Sequence, residues 1–277
     1  MRKYMTWMAF AGALLLGVPA AHATDGFSVG TGANYSRGNY GTDVTTEIWS
    51  APFTATYQSD RWTVGLSIPY VHVRGSRNVI PGTGPVDNSN PLGRGLDQLL
   101  GGGGSPTSGG TAPTRTSASG AGDVVASAGY RLFSSDDRSF GLVATGKVKF
   151  GTADVNKGLG TGENDYAVSL DTYKTISKWT PFGGVGWTNY GSSPYIKLEN
   201  GIQANAGMDY RAARNDNVGV AYSYRQRVAA GGAAQGEVTA YWAHKFNDRL
   251  RLQGQATGGT SNGSPDWGIG TSVNYTF

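Results

Sequence analysis

Asp266-Trp267-Gly268-Ile269-Gly270-Thr271-Ser272-Val273-Asn274-Tyr275-Thr276-Phe277 is the stretch whose reading decides the fold. One parity carries Trp267, Ile269, Val273, Tyr275 and Phe277; the other carries Gly268, Gly270, Ser272, Asn274 and Thr276. Side chains of a strand point to opposite faces with period two, so this segment has one apolar and one polar face. A soluble sandwich can also hold such a strand. An apolar-polar strand ending on an aromatic residue is also the terminal pattern of outer-membrane β-barrels. In those proteins it is read by the barrel-assembly machinery, and here the expected signal residues are Tyr275 and Phe277.

The other end of the sequence narrows the choice. Arg2 and Lys3 precede an apolar run from Met8 to Val18, and Ala21-His22-Ala23 fits the small-residue cleavage rule, so residues 1–23 are expected to be a signal peptide. The run is too short for a membrane-spanning helix and is interrupted by Gly17 and Pro19. The mature chain, 24–277, is therefore expected to span the membrane as strands. Glycine occurs 44 times in 277 residues and charged residues are only 15%, against about 25% in soluble domains. Barrels hide their lipid face in alternation, so a mean hydropathy of −0.33 does not argue against one. There is no cysteine, which excludes disulfides and thiolate metal sites. The net charge of +4 falls to +2 without Arg2 and Lys3, and no Lys/Arg run is present to bind nucleic acid.

Period-two reading predicts an all-β, closed antiparallel transmembrane barrel of about twelve strands, near 26–36, 44–58, 62–73, 122–133, 139–150, 165–176, 180–190, 196–211, 218–228, 236–246, 250–260 and 266–277. Tight polar turns (Ser59-Asp60-Arg61, Ser134 to Arg138, Ser177-Lys178, Arg214 to Asn217, Asn247-Asp248-Arg249) alternate with longer Gly-rich connections. That is the layout of short periplasmic turns and long extracellular loops in the outer membrane of a Gram-negative bacterium. Aromatic residues near strand ends, among them Trp49, Trp62, Tyr130, Trp179, Tyr210 and Trp242, read as two interfacial girdles. A secreted all-β domain is the alternative, because charged and aliphatic faces can serve either arrangement.

If the apolar parity faces lipid, the interior is lined by Arg131, Lys147, Lys149, Asp171, Asp209, Arg211, Arg225, Arg227, Glu237, Lys245 and Arg251, with Gln203, Asn205, Gln253 and Gln255 among them. The reverse would place Arg and Lys in lipid at about 2–4 kcal/mol each near mid-membrane. Eight cations against three carboxylates either pair to stiffen the wall or leave a positive path for small solutes. The 75–120 connection is rich in Gly, Ser, Thr and Pro. Within it Leu92, Leu96, Leu99 and Leu100 have the spacing of one or two helical turns before the Gly101–Gly104 run. Two readings stay open: a lid in the barrel mouth, or a surface loop.

The mature chain has two histidines, His72 and His244, in no metal spacing and beside no nucleophile motif, so neither a metal site nor an enzyme is expected. No cofactor is expected either. Asp154-Val155-Asn156-Lys157-Gly158 lacks the acidic closure of a calcium loop.

Several motifs then fall in order. They are Leu66-Ser67-Ile68-Pro69-Tyr70, Gly122-Asp123-Val124 leading to Tyr130-Arg131-Leu132, and Lys149-Phe150-Gly151-Thr152-Ala153-Asp154. Gly158 to Gly162, Asp165-Tyr166, Asp171-Thr172-Tyr173-Lys174 and Trp179-Thr180-Pro181-Phe182 to Gly186-Trp187 complete the run. Together they resemble the MetA-pathway of phenol degradation (phenol meta-pathway) outer-membrane transporter family over roughly residues 62–190. The resemblance implies an exported barrel that takes up small, in part aromatic, solutes, with lipid and solute as its partners; it supplies no catalytic residues. The rival expectation is a non-conducting structural or adhesive barrel acting through its surface loops.

Overall fold

The computed structural model describes residues 26–90 and 116–277; the expected signal peptide and Leu92, Leu96, Leu99 and Leu100 lie outside them. Regular structure among the described residues is all strand: β1 (Gly26–Gly38), β2 (Thr46–Ser59), β3 (Trp62–Gly75), β4 (Val79–Ile80), β5 (Gly84–Pro85), β6 (Thr116–Ala121), β7 (Val124–Ser134), β8 (Phe140–Phe150), β9 (Asp165–Lys174), β10 (Trp179–Asn189), β11 (Gly201–Arg211), β12 (Asp216–Arg225), β13 (Gln235–Lys245), β14 (Leu250–Gly259) and β15 (Trp267–Thr276). Every pairing is antiparallel, and the sheet closes on itself because β1 pairs with both β15 and β2, and β2 with β3. Closure leaves no edge strand, the condition for placing backbone in lipid. β6 and β7 lie end to end along β3, against Tyr70–Gly75 and Trp62–Ser67 respectively, so they form one span and the barrel has twelve.

The break between β6 and β7 has a local cause. Pro69 of β3 stands directly opposite Pro52 of β2, and neither has an N–H for the ladder. Beside this stretch the neighbouring strand leaves its ladder at Gly122-Asp123, where the Gly122 N–H donates to the Pro69 carbonyl at 2.8 Å. Asp123 is thereby released from pairing and its side chain is free to act elsewhere.

Five tight turns join β2–β3, β7–β8, β9–β10, β11–β12 and β13–β14 on one rim. Asp60, Arg138 and Ser177 adopt left-handed φ of 37°, 53° and 59° to reverse the chain there. The longer connections all leave the opposite, outer rim. Three sequence expectations are corrected. Thr116–Ala121 is a strand, not loop; its Thr-Ser-Ala-Ser-Gly-Ala has no apolar alternation, and pairing with β3 holds it. Residues 196–200 precede β11, and Ile196 is fully buried in an outer loop instead of facing lipid. A two-pair hairpin, β4–β5, sits inside what reads as featureless loop.

The outward parity is apolar. Val64, Leu66 and Ile68 on β3, Val168 and Leu170 on β9, Val185, Ile202 and Ile269 form an exposed band. Aromatic rings bound it on both sides. Trp62 meets Tyr130 at 4.8 Å and Trp179 meets Tyr210 at 4.4 Å at the tight-turn rim, while Tyr35 contacts Trp49 at 4.6 Å and Trp267 at 5.2 Å at the other. This band and its girdles are those of a barrel in the outer membrane. The fully buried aliphatic side chains, Val73, Val79, Ile80, Leu159 and Ile196, are all at the outer end. Among the described residues the fully buried large aliphatics therefore gather in the mouth, while the body's buried cluster is mainly aromatic.

Candidate functional site

The inward parity divides the lumen into two unlike walls. Following the register from β15 through β1 and β2 to β3, Ser272 pairs with Gly32, Asn274 with Gly30, Gly30 with Thr54, and Thr54 with Ser67. No Lys, Arg, Asp or Glu occupies the inward parity of these four strands. Charge is confined to the remaining arc. Arg131 on β7, Lys147 and Lys149 on β8, Asp165 and Asp171 on β9, Asp209 and Arg211 on β11, Arg225 on β12, Glu237 and Lys245 on β13, and Arg251 on β14 share the inward parity.

Some of these charges are tied. Lys149 Nζ lies 3.1 Å from Asp123 Oδ2 and 2.9 Å from Asp165 Oδ2, and donates to Thr161 Oγ1 at 3.0 Å. Asp209 accepts from Asn217 and, at 3.2 Å, from the Tyr241 hydroxyl. Asp171 accepts from Ser169 Oγ at 2.8 Å. Others are not tied. Lys147 Nζ and Arg131 Nε are buried with no hydrogen-bond partner among the described residues, and the two residues are only 8% and 9% exposed. A buried cation left without a partner retains its full demand for an anion or water.

Between the charged rows Tyr173, Phe182 and Tyr241 pack with Ala221 as an apolar arc on the wall, with Arg211, Lys245 and Arg251 nearer the tight-turn rim. Above them the mouth is filled from two directions. The β8–β9 connection turns inward so that Leu159 and Ala153 pack on Val73, Ile48 and Ala118, the inner faces of β3, β2 and β6. Asp123, freed by the strand break, accepts the Ala153 N–H at 2.9 Å and fixes that connection while it holds Lys149. From the other side the β4–β5 hairpin buries Ile80 and Val86 against Ile196 and Val228.

Arg227, expected on the lumen side, falls outside the strands. It lies beyond the end of β12, half-exposed, 3.7 Å from Glu199 on the outer rim. The period-two count ran past the strand's true end at Arg225. Asp165 and Asp123 are additions. Asp165 shares the parity of Asp171 and was legible as such, whereas Asp123 acts only because of the Pro69 break. With Arg227 out and Asp165 in, the strand charges become seven cations and four carboxylates. Tyr275 and Phe277 lie on the outward face of the tight-turn rim, their rings 5.1 Å apart, and Phe277 also stacks on Phe27 at 5.7 Å. His244 is outward on the same rim, its Nδ1 2.8 Å from Asp216 Oδ1, and His72 pairs across strands with Trp49.

No family model and no curated protein matches this sequence. Solved structures do match its fold. The COG4313 outer membrane channel from Pseudomonas putida F1 superimposes with a TM-score of 0.63 at 14% identity, covering 92% of this chain and 97% of that one. The NanC porin does so with a TM-score of 0.53 at 6% identity, covering 90% and 100%. At such identities the likeness is one of architecture.

Proposed function

We propose that the protein is a passive outer-membrane channel for small solutes, that it favours anions, and that aromatic compounds are among its solutes. The observation that carries this reading is the pair of buried cations, Lys147 and Arg131, whose Nζ and Nε find no hydrogen-bond partner among the described residues, on a charged wall that faces a neutral one. A charged wall opposite Ser, Thr, Asn and Gly leaves its field uncompensated across the lumen, and low-dielectric surroundings focus that field on whatever enters. Lys149 adds little, because Asp123 and Asp165 already neutralise it. The aromatic part of the proposal comes from the resemblance to the phenol meta-pathway transporter family; aromatic carboxylates satisfy both parts. The outer-membrane channel that shares the fold is consistent with passage.

Reversal potentials in planar bilayers under a salt gradient test the reading. Anion preference is expected, weakening as salt shortens the Debye length to about 3 Å at 1 M, and Lys147→Glu should move the reversal potential towards that of cations. Cation preference in the parent, or silence at every salt concentration, overturns it. A second reading, a sealed barrel that works through its outer loops, is favoured by the filled mouth, where Ile80, Ile196 and Leu159 are fully buried. In either case Tyr275 and Phe277 are proposed as the residues read during barrel assembly.

A further inference from the structure

We infer that Arg225 is a latch: it holds the β4–β5 hairpin across the outer mouth onto the opposite wall, and so sets how far the mouth opens. The last clause rests on the passage reading above; the latch itself does not.

The hairpin grows out of β3. Counting spans from β3 one way gives β2, β1, β15, β14, β13, β12; the other way gives β6–β7, β8, β9, β10, β11, β12. Arg225 ends β12, six spans from β3 in both directions, which is the far side of a twelve-span ring. A segment that leaves β3 and bonds to β12 must cross the mouth.

The contact at the far side is a specific one. Arg225 Nη1 donates to the Gly82 carbonyl at 2.9 Å and Nη2 to the Thr83 carbonyl at 2.7 Å, while Nη2 also reaches Gln235 Oε1. One planar guanidinium thus collects two successive carbonyls of a turn, a fork that lysine's single ammonium cannot reproduce. The turn is shaped for it. Gly82 and Gly84 take φ of 78° and 94°, and a β-carbon on Gly84 would meet Gln235 Nε2 at 2.0 Å. Glycine lets the backbone come this close.

The hairpin cannot hold this position alone. It has two ladder pairs, Val79↔Pro85 and Ile80↔Gly84, and a hairpin that short has no independent stability. Further supports come from other connections: Ile196 and Val228 beside Ile80 and Val86, the Asn88↔Ile196 bridge, and the Ser89 N–H on the Tyr195 carbonyl at 3.0 Å. Arg225 is a support rooted in a barrel strand on the far wall, beside Gln235 of β13, so it makes the hairpin's place depend on the rigid wall.

The chain has no cysteine, so one introduced thiol reports cleanly. Thr83 is 3% exposed. Thr83→Cys in the otherwise unchanged protein should react slowly with a hydrophilic maleimide, and adding Arg225→Ala should speed it about tenfold or more, since each charge-assisted hydrogen bond is worth about that factor. Arg225→Lys, which keeps the charge and loses the fork, should give most of the same gain; it also decides the matter if the alanine variant does not assemble. Heat-modifiable migration on gels verifies an intact barrel in each. Equal labelling rates with and without Arg225, whether both slow or both fast, overturn the latch. Single-channel conductance of the same proteins is read in parallel and should rise with the labelling rate. Faster labelling at unchanged non-zero conductance removes the mouth-setting clause. Faster labelling with both proteins silent supports the latch and counts against the passage reading.

Discussion

Tyr173 lies flat on Gly141, its direct partner across the β8–β9 ladder, so closely that a β-carbon on Gly141 would sit 2.5 Å from the ring's Cε1. The relation recurs. Phe182 lies on Gly207, its partner on β11, and Tyr241 on Gly219, its partner on β12, with 2.3 Å to Phe182 Cζ and 2.1 Å to the Tyr241 hydroxyl oxygen. Each glycine lends its missing side chain's space to a ring, which keeps three aromatic side chains on the wall and out of the lumen.

Gly219→Ala should therefore lift Tyr241 from the wall and break its bond to Asp209. Overpacking of this kind costs about 1–3 kcal/mol, read as a lower midpoint in urea-induced unfolding from liposomes. Tyr241→Ala alone also costs stability, but the double variant should be more stable than the sum of the two single losses predicts. Strict additivity would show that ring and glycine do not share the space.

Parity carried most of what the sequence could tell. In β11 the outward Ile202 and the inward Gln203, Asn205 and Asp209 were legible because lipid and lumen impose opposite chemistry on alternate positions. Where that contrast ends, the reading fails. Ile196 continues the apolar parity of β11 but is buried under the hairpin, since a loop core and a lipid face use the same residue types. Thr116–Ala121 was illegible for the opposite reason: small residues on both parities leave no contrast to read. The salt bridge of Asp123 depends on a strand break set by Pro69, on another strand, and no local pattern reports that.

Removing Lys149 should cost more than removing most interior charges. Its ammonium lies between Asp123 and Asp165, both with side chains 9% exposed, and its loss leaves two carboxylates together without a cation. Breaking such a site costs about 3–5 kcal/mol. Lys149→Met should lower the unfolding midpoint accordingly, and adding Asp123→Asn and Asp165→Asn should recover much of it. A triple variant as unstable as the single one would mean that packing, not charge, set the loss.

The facing of the strands can be tested position by position in proteoliposomes. Cysteine at Val168 or Ile202, 59% and 54% exposed on the apolar parity, should resist a hydrophilic maleimide. Cysteine at Ser169 or Asn205, on the opposite parity, should react. Equal reaction at all four positions would overturn the lipid and lumen assignment.

Leu159 should matter to the mouth and not to the barrel. It is 1% exposed and packs with Val73 and Ala153, its Cδ1 so near β6 that a β-carbon on Gly120 would stand 3.0 Å away. Truncating a buried leucine costs about 2–5 kcal/mol, but here the cost falls on the seat of one connection. Leu159→Ala should let the 151–164 segment lift from the inner wall and become sensitive to proteolysis in intact cells. The strands that carry the sheet are untouched, so the barrel's heat-modifiable migration should not change. By contrast Ile202→Ala, on the lipid face, should leave protease resistance as it was. If Leu159→Ala instead unfolds the barrel as a whole, the mouth and the wall are one cooperative unit, and a separately movable mouth is ruled out.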